Sequence, residues 1–228
     1  IANRIGVANI MSLFHLVKEL DLTVEEVDSL SGPIIGRPKS ATFRTADVVG
    51  IDTLVKVAKG VADNCSTDEA ISIFTIPSWL EKLVENNWLG DKTGQGFFKK
   101  IKSAEGKEIL TLNLQSMEYG ARVKPKFATL ETAKPIDDLK ARLKALNVGT
   151  DKAGDFYRQF HYSLFSYISH RIPEISDEIY RVDDAMMAGF GWEIGAFESW
   201  DVLGVEATVK KMLDAGYKVA GWVTEMLE

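Results

Sequence analysis

Cysteine is almost absent from this chain: Cys65 stands alone among 228 residues. That excludes an intrachain disulfide framework and a cysteine-built zinc site. One thiol is most simply a small buried apolar residue in a reducing compartment, which makes a cytoplasmic location the expectation. Histidine is scarce as well. His15, His161 and His170 have no second histidine or carboxylate at metalloprotease spacing, so no metal is expected and each reads as an ordinary core or surface residue. No apolar run reaches the roughly 18 residues that a membrane-spanning helix needs. Positive charge is in deficit, 27 Lys and Arg against 33 Asp and Glu, a net −6. That balance argues against a nucleic-acid or anionic-membrane binder, though a small anionic ligand needs only a few local cations.

The usual catalytic and nucleotide motifs are missing too. Gly90, Gly94 and Gly96 precede strand-like sequence, and Gly189, Gly191 and Gly195 follow a helical pattern. Neither cluster is the strand–Gly-x-Gly-x-x-Gly–helix of a dinucleotide site, and there is no phosphate-loop motif. Ser12, Ser40 and Ser163 lack a nucleophile elbow. The pairs Glu25/Glu26 and Asp183/Asp184 are adjacent, so they point to different parts of a helix surface rather than forming an acid/base pair. The N-terminus, Ile1-Ala2-Asn3-Arg4-Ile5, has neither Met nor a charged leader, so it is expected to be a cut inside a larger chain and not a signal peptide.

What the sequence has is helical periodicity. Hydrophobic residues are 46% and charged residues 26% of the chain, enough for a conventional core. Ile10, Leu13, Phe14, Val17 and Leu20 share one face of a helix over about 2–20. Thr23 with Glu26 forms a capping box for the next helix, which ends at Gly32-Pro33. A short helix over 41–49 stops at Gly50, Asp52 is the expected cap of a helix over 53–62, and Ser66 with Glu69 reads as a second capping box. Pro77 opens a helix that stops before Gly90. Segments 97–102 and 108–114 flank Ala104-Glu105-Gly106-Lys107 and predict a small β-hairpin. Residues 116–134 show no period and read as a linker or extended crossover. Helices are then expected over 136–146, 156–171, 176–188, 197–203, 206–214 and 217–227. The fold class is mainly α.

The chain also repeats itself weakly at a spacing of about 155 residues. Val27-Asp28 pairs with Val182-Asp183 and Gly36 with Gly191. After a one-residue slip, FRTADVVGIDTLVKV lies over FESWDVLGVEATVKK, matching Phe43, Asp47, Gly50 and Ile51 to Phe197, Asp201, Gly204 and Val205. Two helical units in tandem are expected, packed about a pseudo-twofold axis so that each covers the other's apolar face. The division expected is 1–100, a hairpin and linker over 101–135, and a degenerate second repeat over 136–228. Asn3 is most simply the N-cap of the first helix, and Gly36-Arg37-Pro38-Lys39-Ser40 a connector with surface charge. On residue types and spacing alone, the reading ends at a tandem helical domain.

Three stretches carry a resemblance. Ile1-Ala2-Asn3-Arg4, the run from Gly36 to Thr53 (GRPKSATFRTADVVGIDT) and Asp91-Lys92-Thr93-Gly94-Gln95-Gly96-Phe97-Phe98 resemble the C-terminal domain of 3-hydroxyacyl-CoA dehydrogenases. The resemblance covers residues 1–100, with 155–228 as a degenerate second copy similar to the duplicated arrangement of multifunctional β-oxidation enzymes. It implies two helical units of the 6-phosphogluconate-dehydrogenase C-terminal type. It implies oxidation of an L-3-hydroxyacyl-CoA with NAD as cofactor, bound by an upstream Rossmann domain whose His–Glu pair is the general base. Asn3 matches the family's catalytic Asn at the substrate's reacting end. Arg37, Lys39 and Ser40 become candidate substrate-binding residues, and the Arg-Pro-Lys-Ser loop looks most like forms fused to an enoyl-CoA hydratase module. The position equivalent to Asn3 in the second half falls near Arg158, so that copy lacks the amide. The second half is then a built-in dimer partner, the fragment alone should be inactive, and it need not dimerise. The alternative is a non-catalytic helical scaffold within a multienzyme; a related dehydrogenase of another hydroxyacid is a third reading.

Overall fold

The computed structural model describes residues 1–103 and 106–228. Among these residues there are twelve α-helices and one three-stranded antiparallel sheet, so the chain is mainly α as its periodicity predicts. The residues fall into two compact units, and neither is contiguous in the sequence. One, here the hairpin unit, comprises 13–32 and 39–125; the other, the C-terminal unit, comprises 1–12, 33–38 and 126–228. Helix α1 (Ala2–Glu19) contributes its beginning to the C-terminal unit and its end to the hairpin unit.

In the hairpin unit, α2 (Val24–Leu30) starts on the expected capping box. Glu26 N donates to Thr23 Oγ1 at 3.2 Å and Thr23 N to Glu26 Oε2 at 2.9 Å, satisfying two end-of-helix donors reciprocally. Helices α3 (Phe43–Val49) and α4 (Ile51–Asn64) meet at Gly50, whose φ of 100° only glycine adopts without strain. The core is aromatic: Phe43 lies 4.6 Å from Phe97 and 5.1 Å from Phe14, centroid to centroid, and Trp79 of α5 (Ser78–Glu85) sets its edge against Phe14 at 5.1 Å. Such offset and edge-on pairs add about 0.5–1.5 kcal/mol each beyond the area they bury. The expected hairpin is present as β1 (Phe98–Ser103) and β2 (Gly106–Leu112), paired from Phe98↔Thr111 to Ser103↔Gly106. Of the turn expected at Ala104-Glu105-Gly106-Lys107, Ala104 and Glu105 lie outside the described residues, while Gly106 and Lys107 open β2.

The C-terminal unit holds α6 (Ala128–Ala133), α7 (Leu139–Asn147), α8 (Lys152–His170), α9 (Ile179–Phe190), α10 (Ala196–Leu203), α11 (Val205–Asp214) and α12 (Gly221–Leu227). Asp138 caps α7 through Ala141 N at 2.7 Å, and Asp151 caps α8 through Gly154 N at 3.1 Å. Phe165 stacks on Trp200 at 4.9 Å at its centre. Gly6 admits the Phe190 ring: a Cβ there would stand 2.0 Å from it, so no larger residue fits.

Several local expectations need correcting. Residues 116–134 are not all linker, since β3 (Tyr119–Ala121) pairs antiparallel with β2 and α6 follows. A three-residue strand is too short to show a period. Ser66 and Glu69 cap no helix; Asp68 takes Ala70 N at 2.9 Å instead, and the chain continues as a 3₁₀ turn over Ile71–Phe74. Asp52 lies inside the first turn of α4, where it pairs with Lys92, and Gly50 holds the cap position. Asn3 likewise lies inside the first turn of α1, which starts at Ala2. Cys65 is half-buried at the end of α4 and not a core residue. Among the described residues no helix is long and apolar enough to cross a membrane, and no cluster of His, Cys, Asp and Glu could hold a metal ion.

Candidate functional site

The first turn of α1 presents Asn3 to solvent. Among the described residues its amide has no hydrogen-bond partner, so one carbonyl acceptor and two N–H donors are uncommitted. The turn carrying it is held by the next residue. Arg4 Nε donates to Tyr167 Oη at 2.7 Å, and Arg4 Nη2 bridges to Glu174 at 3.1 Å. Two residues later Gly6 lets Phe190 pack against the helix. The amide is therefore exposed while its backbone is clamped, the arrangement expected of a group that meets something outside the unit. The Asn-Arg pair is legible as a motif in the sequence, but the anchoring by Arg4 is not. Only its long-range partners reveal it.

Arg158, the counterpart position in the second repeat, is committed. Its Nη1 donates to Gly149 O at 2.6 Å and Asn147 O at 3.2 Å, and its Nη2 to Asp155 at 2.5 Å. It closes the carbonyl end of α7 and leaves no amide to offer.

The loop residues divide sharply. The Arg37 guanidinium lies against two rings, its Cζ 3.8 Å from the Trp192 centroid and 4.7 Å from that of Phe160, with Asn9 Oδ1 at 3.5 Å. No carboxylate pairs with it among the described residues, and burial alone lowers its pKa to about 9. It remains a cation at neutral pH, held by ring quadrupoles. The small cavity beside it, about 10 Å³, is lined by His161, Ile194 and Ser199 among others. Burial, and secondarily the Arg37 charge, drive His161 down to about 3, so it is neutral; its Nδ1 lies 3.2 Å from Asn147 Oδ1. An exposed connector charge describes Lys39, which faces solvent, but not Arg37. Ser40 is half-buried and accepts from Thr45 Oγ1 at 2.8 Å.

The long motif after α5 acts through Asp47. Phe97 N donates to one oxygen of this carboxylate at 2.8 Å and Phe98 N to the other at 2.9 Å. Gly96 leaves room for the carboxylate and Gly90 for the Asp47 backbone, since a Cβ would stand 2.2 Å from Asp47 Oδ1 or from the Asp47 carbonyl oxygen, respectively. Arg44 forks onto Asp91 with both contacts at 2.6 Å, and Lys92 pairs with Asp52. Burial raises Asp47 to about 6 against the pull of the two N–H donors. These residues lock the α3–α4 corner to the hairpin, which is structural work.

Residues 1–100 match the family model described as 3-hydroxyacyl-CoA dehydrogenase, C-terminal domain. Over all 228 residues the chain is 43% identical to a probable 3-hydroxyacyl-CoA dehydrogenase of Bacillus subtilis (strain 168), spanning 28% of that protein. Over 200 residues, 87% of the chain, it is 23% identical to a putative fatty acid oxidation complex trifunctional enzyme of Rickettsia prowazekii (strain Madrid E), spanning 26% of it. The chain thus spans little more than a quarter of these relatives. Its fold resembles the crystal structure of 3-hydroxybutyryl-CoA dehydrogenase from Escherichia coli K12 substr. MG1655, with a TM-score of 0.60 and 13% identity, covering 99% of this chain and 59% of that one.

Proposed function

We infer that this chain, whose residues 1–100 belong to the family of 3-hydroxyacyl-CoA dehydrogenase C-terminal domains, is the helical C-terminal part of an NAD-dependent L-3-hydroxyacyl-CoA dehydrogenase of fatty-acid β-oxidation. The observation that carries the reading is the Asn3 amide, exposed and unpartnered on a turn fixed by Arg4. The reacting group is a secondary alcohol at C3 of an acyl-CoA. As it becomes a ketone, the 3-oxygen loses its proton and gathers negative charge. An amide N–H donated to that oxygen, or the amide carbonyl accepting from the histidine that takes the proton, stabilises the charged state more than the ground state. NAD supplies the hydride acceptor. By the family resemblance, NAD and the His–Glu base belong to an upstream Rossmann domain.

Residues 1–100 form the substrate-facing copy, 101–135 the connection, and 136–228 the degenerate repeat that takes the place of a second subunit. Arg158 supports that split, because its side chain is spent inside the fold. Of the loop candidates, Lys39 is the one exposed to an anion; Arg37 shapes the loop from within, and Ser40 accepts a hydrogen bond from Thr45 Oγ1. An enoyl-CoA hydratase module in the same parent chain fits the trifunctional relative.

The test is reconstitution. With NAD and L-3-hydroxybutyryl-CoA, the 228-residue chain alone should reduce no NAD, and the same chain joined to its upstream domain should. NAD reduction by the isolated chain, or none by the joined protein, overturns the reading.

A further inference from the structure

Arg37 is a cation without a counter-ion. Burial is the sole cause of its lowered pKa, so no carboxylate acts on it among the described residues. Of its N–H donors, one on Nη2 has a protein acceptor, Asn9 Oδ1, at a long 3.5 Å; the others have none among the described residues. Trp192 and Phe160 offer ring quadrupoles to the charge, but a ring is a weak acceptor for the remaining N–H groups. All of these residues belong to the C-terminal unit. Arg37 is half-buried, which leaves a path to it from solvent.

The recess that Arg37 lines, about 10 Å³, has room for one particle of water size. Nothing negative lines it. Ile35, Leu143, Leu164 and Ile194 are apolar, and Ser199 Oγ donates to Gly195 O at 2.7 Å. His161 is neutral, and Arg37 is the one charged group that acts on it. A water in this recess accepts from the guanidinium but leaves its charge uncancelled. A single-atom anion accepts and cancels it, with a gain enlarged by the low dielectric of the surroundings. A phosphate, sulfate or carboxylate group has no room there, so the recess is not a place for a substrate's anionic end.

We propose that Arg37 and this recess form a binding site for one chloride-sized monovalent anion, which accepts from the uncommitted guanidinium N–H groups beside Trp192 and Phe160. The ion neutralises a charge on which three stretches far apart in sequence converge: the loop carrying Arg37, the helix α8 carrying Phe160 and His161, and the segment before α10 carrying Trp192. Its role is to stabilise the C-terminal unit. The inference does not rest on the dehydrogenase reading above.

Thermal melting of the 228-residue chain, with sodium chloride replacing sodium gluconate at a constant ionic strength of about 0.3 M, tests this. The melting temperature should rise saturably with chloride, by about 2 °C or more, and bromide should act alike. Arg37→Met should abolish the difference between the salts. Lys39→Gln, which removes an exposed cation two residues away, should keep it. Should Arg37→Met fail to fold, the unaltered chain still decides: crystals soaked in sodium bromide should show an anomalous peak within about 3.5 Å of a guanidinium nitrogen of Arg37. Equal melting in the two salts, a halide effect that survives Arg37→Met, or bromide peaks only elsewhere overturns the site and leaves the recess to water. So does a peak beside Arg37 with no effect in solution, which is binding at crystal concentration only.

Discussion

The two repeats use the same devices to fold and part company where a device faces something else. In the hairpin unit Asp28 gathers three backbone N–H groups at the start of α3; in the C-terminal unit Asp183 gathers Phe197 N and Glu198 N, at 2.8 and 2.9 Å, at the start of α10. Gly36 and Gly191 both turn the chain at positive φ, 69° and 64°, and Gly50 and Gly204 do so between the paired helices, at 100° and 84°. These pairs are the weak repeat of about 155 residues made physical. The divergence is in Asp47 and Asn3. Asp47 is buried and ties down the hairpin, whereas its counterpart Asp201 is exposed. Asn3 is uncommitted, whereas Arg158 is consumed by α7. The two segments share what folds the unit and differ at the hairpin tie and at the exposed amide.

The sharpest way to break this comparison is at the shared device. Asp28→Ala strands three donors and should cost on the order of 3–5 kcal/mol; Asp183→Ala strands two and should cost about 2–3 kcal/mol. Urea unfolding of both variants checks it, and a loss in only one would mean that the repeats do not fold alike. Next in size is the divergent pair. Asp47→Ala should cost about 2–3 kcal/mol and Asp201→Ala less than about 0.5 kcal/mol, by the same measurement. Equal costs would erase the distinction drawn here.

The smallest effects are pH-dependent and opposite in sign. His161 is held near 3 when folded, below its ordinary 6.5, so the unfolded chain binds the extra proton between those values. Its contribution is present above about pH 6.5 and is lost as pH falls toward 3, and His161→Leu should flatten the fall in melting temperature between pH 7 and pH 4. Asp28 is pushed by burial up to about 7, so its contribution is present below about pH 4 and is lost as pH rises through 7. Its carboxyl carbon should titrate near neutrality by NMR; a midpoint in the usual carboxylate range would contradict the burial argument.

Much of this was legible in the sequence because it is local. The capping box of Thr23 and Glu26, the stop at Gly50, the hairpin arms and the repeat all lie in short patterns. The pairing of Asp28 with residues 42–44 did not, because it closes across a loop; the repeat marked the position without saying why. Ser66 and Glu69 mimicked a cap because pattern alone does not show whether a helix follows. The linker reading failed at β3 and α6, elements too short to have a period. At the site, Asn3 came from resemblance and its exposure from structure. The burial of Arg37 was invisible, since a charged loop residue is ordinarily solvated and its two rings lie far along the chain.

The central claim is that one repeat works and the other supports. The direct measurement is steady-state kinetics, with NAD and L-3-hydroxybutyryl-CoA, of this chain joined to its upstream domain and carrying Asn3→Ala, set beside the same protein carrying Arg158→Ala. The account predicts that Asn3→Ala lowers kcat by about 10²–10³ with an unchanged fold, and that Arg158→Ala leaves kcat within about twofold while lowering stability. Unchanged turnover in the Asn3 variant would contradict it and leave both repeats as scaffold.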